Sequence, residues 1–455
     1  MPIAAVPRYL ANQDFSTASP ALRFGMYLRL WGIDSRSREC LWTTHDVNYR
    51  TAGRDRMERA FKDENKTTAL RESARISDGD RRMLDGLSSR QTTLAALAAF
   101  ANPVFTLDAL SIAPFTTGLG NEHPLENGFA FLNPYGLPYL PGSGVKGVLR
   151  QAARELAAGG WDDPAGWDDT PRYPLMTGGP EHRKAVLDKR QRPVMLTSLD
   201  VLFGRETPDG DSNHVRGALT FWDVIPQIPG DSLAVEIMTP HQSHYYQQKA
   251  QAGSTTPHES GQPNPISFLT VPPGARFVFH VQCDLAHLRR LAPALAADER
   301  WRTLLDAAFR HAFDWLGFGA KTAVGYGAMN ENPAAAAARA AERARIEAQR
   351  QAEEDARQRA ALPPDARLLA ELDLELARLP QDPRTKTPIM QQTARQEWPA
   401  LLDRLAAQAP TLDGLAKAER EALATAIKQR LSRHFKVEGN ADKAMKQVLS
   451  TVRGT

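Results

Sequence analysis

Hydrophobic and polar positions follow two different patterns along the chain, and the pattern changes near residue 333. Between about Val104 and Met329, short apolar runs rich in β-branched residues alternate with Gly- and Pro-rich loops, which predicts strands. Two stretches in this region repeat apolar residues at helical spacing, which predicts helices over Val145–Ala158 and Asp298–Gly317. Strands that alternate irregularly with helices predict an α+β fold over residues 1–332.

Beyond Asn332 the large apolar residues almost disappear until Ala361, in a run rich in Ala, Arg, Glu and Gln. This composition predicts an exposed charged helix or linker over residues 333–362, because no apolar face is available to bury. Helical spacing of apolar residues then returns, which predicts a small helical domain over residues 363–455. The chain is therefore expected to carry an all-α extension after its α+β region.

The first hundred residues are less regular. The apolar stretch Phe24–Ile33 predicts a strand, and Thr92–Pro103 predicts a short helix that stops before the proline. Between them, residues 54–90 are dense in charges of both signs. We expect this segment to be a polar insertion, partly helical and partly mobile.

Composition narrows the classes of protein that remain. The 455 residues include 56 Lys and Arg against 53 Asp and Glu, so the overall charge by itself does not indicate a nucleic-acid partner. Two cysteines, Cys40 and Cys283, cannot form a disulfide framework, which favours a reducing cytoplasm. No signal-peptide pattern or apolar run of membrane-spanning length is present, so no membrane association is expected.

The motif GLPYLPGSGVKGVLRQAAR at 136–154 combines glycines with the start of the predicted helix. A glycine-rich loop before a helix, with Lys and Arg on the following turns, can hold a phosphate. The residues assigned to RNA contact here are Gly142, Ser143, Gly144, Lys146, Arg150 and Arg154. It is not a Walker loop, since Lys146 precedes a glycine. The alternative is a tight turn followed by solvated basic side chains.

A second glycine-rich motif, LGFGAKTAVGYGAM, surrounds Lys321 and Thr322. Its glycine spacing differs from that of a dinucleotide-binding loop. Flexible backbone next to a lysine is compatible with contact to a phosphate backbone, so Lys321 and Thr322 are candidate RNA-binding residues. The alternative is a glycine loop that packs inside the protein.

A long polar stretch follows the predicted strand at VEIM. His241, Tyr245 and Tyr246 stand at its beginning, and planar side chains of this kind can stack on RNA bases. The loop over residues 247–262 is too long for an ordinary connection, so we expect it to have a function or to be disordered without RNA. The histidines could instead bind a metal, but no Cys or HExxH helix supports that, and we predict no metal site.

Two further motifs contain candidate residues. Arg205 lies in a Gly-Arg loop before an acidic hairpin, and it is a candidate for RNA contact. Asp223 could be a general acid or a metal ligand, although we favour a turn-capping role. His123 stands near two glutamates and could act in acid–base chemistry, but no nucleophile or second histidine completes a catalytic set. We therefore expect His123 and Asn121 to serve structure or RNA contact.

Taken in order, these motifs resemble the RAMP (repeat-associated mysterious protein) superfamily. The resemblance rests on GLGNEHPLENGF, GLPYLPGSGVKGVLR, LFG…GALTFWDVIP, EIMTPHQSHYY, PNPISFLTV and GFGAKTAVGYG, and it covers roughly Leu107–Met329 plus the opening AVPRYL. The EIMTPH…YY…PNPISFLTV segment is similar to the branch formed by the sixth Cmr subunits of type III-B CRISPR effector complexes.

The resemblance implies a ferredoxin-like (RRM-like) core and a non-catalytic role without a cofactor. Proteins of this branch cap the guide-RNA filament near the crRNA 3′ end, so crRNA, target RNA and neighbouring RAMP subunits of the Cmr complex are the expected partners. Two alternatives stay open. One is a metal-independent RAMP endoribonuclease that processes crRNA, with His123 or His241 as general acid or base. The other is a nucleotide-binding enzyme, against which the missing GK[ST] motif argues.

Overall fold

The computed structural model describes residues 4–10, 13–33, 40–42, 64–98, 102–125, 127–161, 163–169, 171–178, 184–205, 207, 213–239, 265–378, 401–407, 412, 414–434 and 440–454. The chain divides into two compact units, Met1–Ala337 and Ala338–Thr455. Among the described residues, no helix has both the length and the apolar character needed to cross a bilayer.

The first unit contains most of the strands and several helices. Its strands are β1 (Trp31–Ile33), β2 (Cys40–Trp42), β3 (Val104–Ser111), β4 (Phe131–Leu132), β5 (Leu137–Pro138), β6 (Tyr173–Pro174), β7 (Met176–Thr177), β8 (Lys184–Ala185), β9 (Met195–Leu196), β10 (Gly204–Arg205), β11 (Val215–Arg216), β12 (Leu219–Phe221), β13 (Ala234–Met238), β14 (Ile266–Thr270), β15 (Arg276–Cys283) and β16 (Met329–Glu331). Its helices are α1 (Pro20–Gly25), α2 (Glu64–Ala74), α3 (Asp78–Ala98), α4 (Gly142–Ala158), α5 (Ser198–Phe203), α6 (Leu285–Leu291), α7 (Pro293–Ala296) and α8 (Arg300–His311).

Four of these strands form a central antiparallel sheet in the order β12-β15-β3-β16. β3 pairs with β15 along nearly its whole length, which places Leu107 opposite Phe279. The short strands β12 and β16 complete the sheet at the free edges of β15 and β3. Along the chain, the sheet strands and two helices follow the order β3-α4-β12-β15-α8-β16. The mixed α and β content predicted for this region is confirmed.

Helices α4 and α8 belong to the same hydrophobic core as the sheet. Phe309 of α8 packs against Phe105 of β3 and Phe279 of β15, with ring centroids 5.7 and 5.2 Å apart. On α4 the residues facing this core are Val145, Leu149, Ala152, Ala153 and Leu156. Their helical spacing is the reason the sequence predicts this helix correctly, because apolar residues three and four apart share one face.

The described residues of the 54–90 segment are not a polar insertion set apart from the core. They form α2 and the first part of α3, and Leu70 and Leu84 are only 1% and 2% exposed in the main core. The sequence does not predict this burial, because the apolar residues of these helices are single and stand among many charged residues. The predicted short helix from Thr92 is the end of α3, which begins at Asp78. The predicted strand over Phe24–Ile33 is wrong except at β1, because α1 contains Phe24.

The second unit is helical in its described residues. Its helices are α9 (Pro333–Ala360), which begins just before the division between the units, α10 (Pro364–Ala377), α11 (Lys417–His434) and α12 (Asn440–Arg453), and residues 401–407 are also helical. α9 has no buried residue, as its composition predicts. The other helices share a core of their own, formed by Leu368, Leu372, Leu376, Leu401, Leu402, Leu405, Leu412, Leu423, Ala424, Ile427, Leu431, Met445, Val448, Leu449 and Val452.

Candidate nucleic-acid interface

The glycines before the predicted helix form its first turn. Helix α4 begins at Gly142, three residues before the predicted start at Val145, so the prediction of a separate Gly142–Gly144 loop is wrong. The Gly142 N–H donates to Oδ1 of Asp223 at 2.7 Å. A Cβ at Gly142 would lie 2.2 Å from the carbonyl oxygen of Phe221, so glycine is needed for this close approach of backbones.

Asp223 therefore has a structural role that the sequence suggests only in part. Its carboxylate accepts a hydrogen bond at the N-terminus of α4, where negative charge is favourable. It caps this helix and not the turn that the sequence predicts. Since a carboxylate already occupies the helix terminus, a phosphate bound there would meet repulsion. The first turn is consequently a poorer anion site than the motif suggests.

One side of α4 is basic and partly exposed. The residues that we call the α4 ridge stand at helical spacing along this side, next to the buried residues; they are Ser143, Lys146, Arg150 and Arg154. Ser143 and Arg154 are exposed, whereas Lys146 and Arg150 are half-buried. No acidic residue occurs between Gly142 and Arg154. The cations of this ridge, from Lys146 to Arg154, therefore span about 12 Å, since each helical residue adds about 1.5 Å.

Arg150 and Arg205 belong to the same part of the interface. Nη2 of Arg150 donates to the carbonyl oxygen of Gly204 at 3.3 Å, and the next residue along β10 is Arg205. Arg205 in turn donates from Nη1 to the carbonyl of Asn213 at 3.3 Å. The structure thus brings two predicted RNA-binding arginines, far apart in sequence, to neighbouring positions. The bond to Gly204 also gives Arg150 a structural role.

The C-terminal end of the ridge borders a groove of about 330 Å³. Arg154 lines it together with Arg172, an exposed arginine that the sequence does not single out. Trp167 lies at the base of this groove, with its indole N–H bonded to the carbonyl of Leu304 at 2.8 Å. Asp169, also in the lining, is paired with Arg300. Arg172 therefore adds a cation beside Arg154, in a groove whose remaining lining is largely apolar.

Lys321 and Thr322 occupy a different loop. Lys321 has left-handed backbone geometry (φ 61°), and its Nζ lies 3.0 Å from Sδ of Met238 and 5.4 Å from the ring centroid of Phe268. The lysine thus points toward the β13–β14 ribbon. Thr322 begins a short 3₁₀ turn whose following residues are exposed. Gly327 in the same loop packs against Phe318 of the core. The alternative interpretation, a glycine loop that packs inside the protein, therefore holds for this end of the loop.

His123 is held by its surroundings. Its imidazole stacks on Phe24 with centroids 3.7 Å apart. Nδ1 accepts a hydrogen bond from the Leu125 N–H at 3.1 Å, so Nε2 carries the proton and donates to the carbonyl of Phe24 at 2.9 Å. Burial lowers the pKa of this imidazole below its ordinary value. The arrangement favours a neutral, structural histidine, while Asn121 nearby is exposed.

His241, Tyr245, Tyr246 and the loop over 247–262 lie outside the described residues, so their predicted stacking role stays a prediction. Among the residues that the structure does describe, no group of three or more His, Cys, Asp or Glu side chains is arranged to hold a metal ion.

Comparison with known proteins agrees with the motifs. Residues 109–330 match the sequence profile of the RAMP superfamily. The chain is also similar to the CRISPR system Cmr subunit Cmr6 of Pyrococcus furiosus, with 28% identity over 241 residues. That alignment covers 47% of this chain and 64% of the relative, so the chain spans somewhat less than two thirds of the length of the relative it matches.

Solved structures give weaker similarities. One is a type III-B Cmr-beta complex bound to cognate target RNA, with 14% identity, a TM-score of 0.38 and coverage of 62% of this chain and 77% of the other. Another is the crystal structure of Cmr6 from Pyrococcus furiosus, with 27% identity, a TM-score of 0.25 and coverage of 51% and 98%.

Proposed function

We propose that this chain is a RAMP-superfamily protein and a crRNA-binding structural subunit of a type III-B CRISPR ribonucleoprotein. The proposal is supported by the match of residues 109–330 to the superfamily profile and by the similarity to a Cmr6 subunit. In this proposal it caps the backbone filament near the crRNA 3′ end and supports the binding of target RNA. Its protein partners are the neighbouring RAMP subunits of the Cmr complex.

The observation that carries this proposal is the α4 ridge. It lies inside the region that matches the superfamily profile, and it aligns three cations on one face without an intervening acid. Cations in such an array bind a phosphate backbone irrespective of base sequence, as a subunit that holds many different guides requires. Arg150 is bonded to the carbonyl of Gly204, and the next residue, Arg205, adds a further cation to this surface.

The topology is compatible with the proposed core. The chain order β-α-β-β-α-β, with a four-stranded antiparallel sheet whose first and third strands are central, is the order of a ferredoxin-like unit. We assign β3, α4, β12, β15, α8 and β16 to that unit. The α4 ridge then projects from the first helix of the core.

The proposal assigns no catalytic step to this chain. His123 supports this assignment because both of its ring nitrogens are engaged in hydrogen bonds and its pKa is lowered. A general acid needs a proton that it can deliver to the reacting atom, and the Nε2 proton of His123 is held by the carbonyl of Phe24.

The first prediction concerns the ridge. In a Lys146→Ala/Arg150→Ala variant, we expect crRNA to bind at least about tenfold more weakly. The slope of log K against log [salt] should fall by roughly one to two, because each lost phosphate contact contributes about 0.7 to that slope for a single strand. Binding of labelled crRNA across a salt series measures both quantities.

An Arg82→Ala/Arg90→Ala variant is the matched control, since it removes two exposed cations from α3 in the same unit. It is expected to bind like the wild type. If the ridge variant and the wild type bound alike, the assignment of the ridge would be wrong. Cleavage of the RNA by wild-type protein without metal would instead support the endoribonuclease alternative.

A further inference from the structure

The two units of this chain carry opposite net charges. Residues 1–337 hold 35 Lys and Arg against 36 Asp and Glu, whereas residues 338–455 hold 21 against 17. All of the net positive charge of the chain therefore lies in the helical unit, outside the RAMP match at residues 109–330. The helical unit is thus the more basic of the two, and the placement of its cations decides whether it can contact a polyanion.

Helix α12 concentrates this charge on one face. Lys443, Lys446 and Arg453 are exposed, and at about 100° per residue they fall within an arc of about 80°. The opposite face of the helix is buried in the core of the unit and is formed by Met445, Val448, Leu449 and Val452. Because the apolar face is already covered, this helix has no surface left with which to enter a lipid layer.

Within α12 itself, one negative charge competes for the cations of this face. The acid within α12 is Asp442, and its Oδ2 lies 2.7 Å from Nζ of Lys446. Lys446 remains 70% exposed in that pair, so a solvent-screened ion pair of this kind holds it weakly. Gln447, which is exposed between the cations, adds a neutral hydrogen-bonding group.

The composition of this surface favours RNA over a protein partner. The described residues of α11 and α12 expose no large hydrophobic side chain. A stable protein interface has a core enriched in aromatic and apolar residues, whereas a phosphate backbone needs cations and hydrogen-bond donors alone. The span from Lys443 to Arg453 is about 15 Å, enough to follow several nucleotides of an extended strand.

We propose that Lys443, Lys446 and Arg453, the α12 face, form a second binding surface for the phosphate backbone of RNA. This inference rests on the proposed function in that the RNA is the one bound by the RAMP region. In this proposal the helical unit binds a second segment of the RNA strand that the RAMP region binds.

The test uses the full-length chain with Lys443→Gln, Lys446→Gln and Arg453→Gln combined, and labelled crRNA across a salt series. We expect the salt slope to fall by roughly two and the affinity at low salt to fall at least about tenfold. The control is Arg345→Gln, Arg350→Gln and Arg357→Gln on α9, which removes the same charge and likewise includes one locally paired cation, Arg345 with Glu342. We expect the control to bind like the wild type.

The outcomes separate this inference from the proposed function. A loss in the α12 variant with no loss in Lys146→Ala/Arg150→Ala would support the second surface and contradict the ridge. A loss in the ridge variant alone would overturn the inference and leave the proposed function standing. Unchanged RNA binding by the α12 variant together with lost association with other subunits would show a protein contact and would also overturn it. Circular dichroism of each variant establishes that the helices are intact.

Discussion

Replacing Gly327 with alanine is expected to destabilise the first unit by about 3 kcal/mol. A Cβ at this position would lie 1.8 Å from the carbonyl oxygen of Phe318, and Phe318 is fully buried in the core. The backbone of Gly327 is also left-handed (φ 72°), which costs alanine about 1 kcal/mol or more. Relief of the clash would require movement of backbone that is fixed by the core, so the cost of overpacking is added to the strain.

Gly325 in the same loop supplies the matched control. It also has positive φ (94°), but no atom of the described residues lies within 4 Å of the place where its Cβ would be. Gly325→Ala is expected to cost only the backbone strain, about 1 kcal/mol. Urea unfolding of both variants measures the difference. Equal destabilisation by the two substitutions would show that close packing of the loop on Phe318 is not what requires glycine there.

Acidification is expected to destabilise the chain through His280. This residue of β15 is 3% exposed, and burial lowers its pKa to about 4. Its Nδ1 lies 3.1 Å from Oγ1 of Thr106 on the neighbouring strand β3. Between about pH 6.5 and 4 the unfolded chain binds a proton that the folded chain does not, so stability falls as pH falls through this interval. The full effect of a shift of this size is about 3 kcal/mol.

The contribution of His280 can be isolated by difference. Urea unfolding of the wild type and of His280→Gln at pH 7.5 and pH 4.5 removes the effects of other groups, including His123, because these are common to both proteins. We expect the wild type to lose roughly 2 kcal/mol more than the variant between these pH values. An equal loss in both proteins would mean that His280 titrates near its ordinary pKa.

The parts of the fold that the sequence predicts well are those whose apolar residues repeat at one spacing. Helix α4 and the stretch from Arg300 to Gly317 carry dense apolar faces, so their spacing is visible without a structure. Helices α2 and α3 bury single residues such as Leu70 and Leu84. Because many charged residues separate these buried positions in the sequence, no helical apolar pattern is visible there. The start of α4 also escapes prediction, because its cap, Asp223, lies 81 residues away in sequence.

The candidate site shows the same distinction. The spacing of the ridge residues follows from the helical period alone. Their burial does not, because Lys146 and Arg150 are half-buried. The role of His123 depends on Phe24, which is 99 residues distant, and no local pattern encodes that contact. Likewise, the approach of Lys321 to Met238 and Phe268 depends on how the loop packs on the β13–β14 ribbon. Tertiary contacts decide these roles.

Photocrosslinking from the ridge tests the central claim most directly. A benzophenone-bearing residue is placed at position 146, or at position 82 as the control, and the chain is assembled with crRNA and the Cmr subunits proposed as its partners. We predict crosslinks from position 146 to the 3′ part of the crRNA and none from position 82. Crosslinks from position 146 that map to the 5′ end, or their absence from a complex that has assembled fully, would contradict the account.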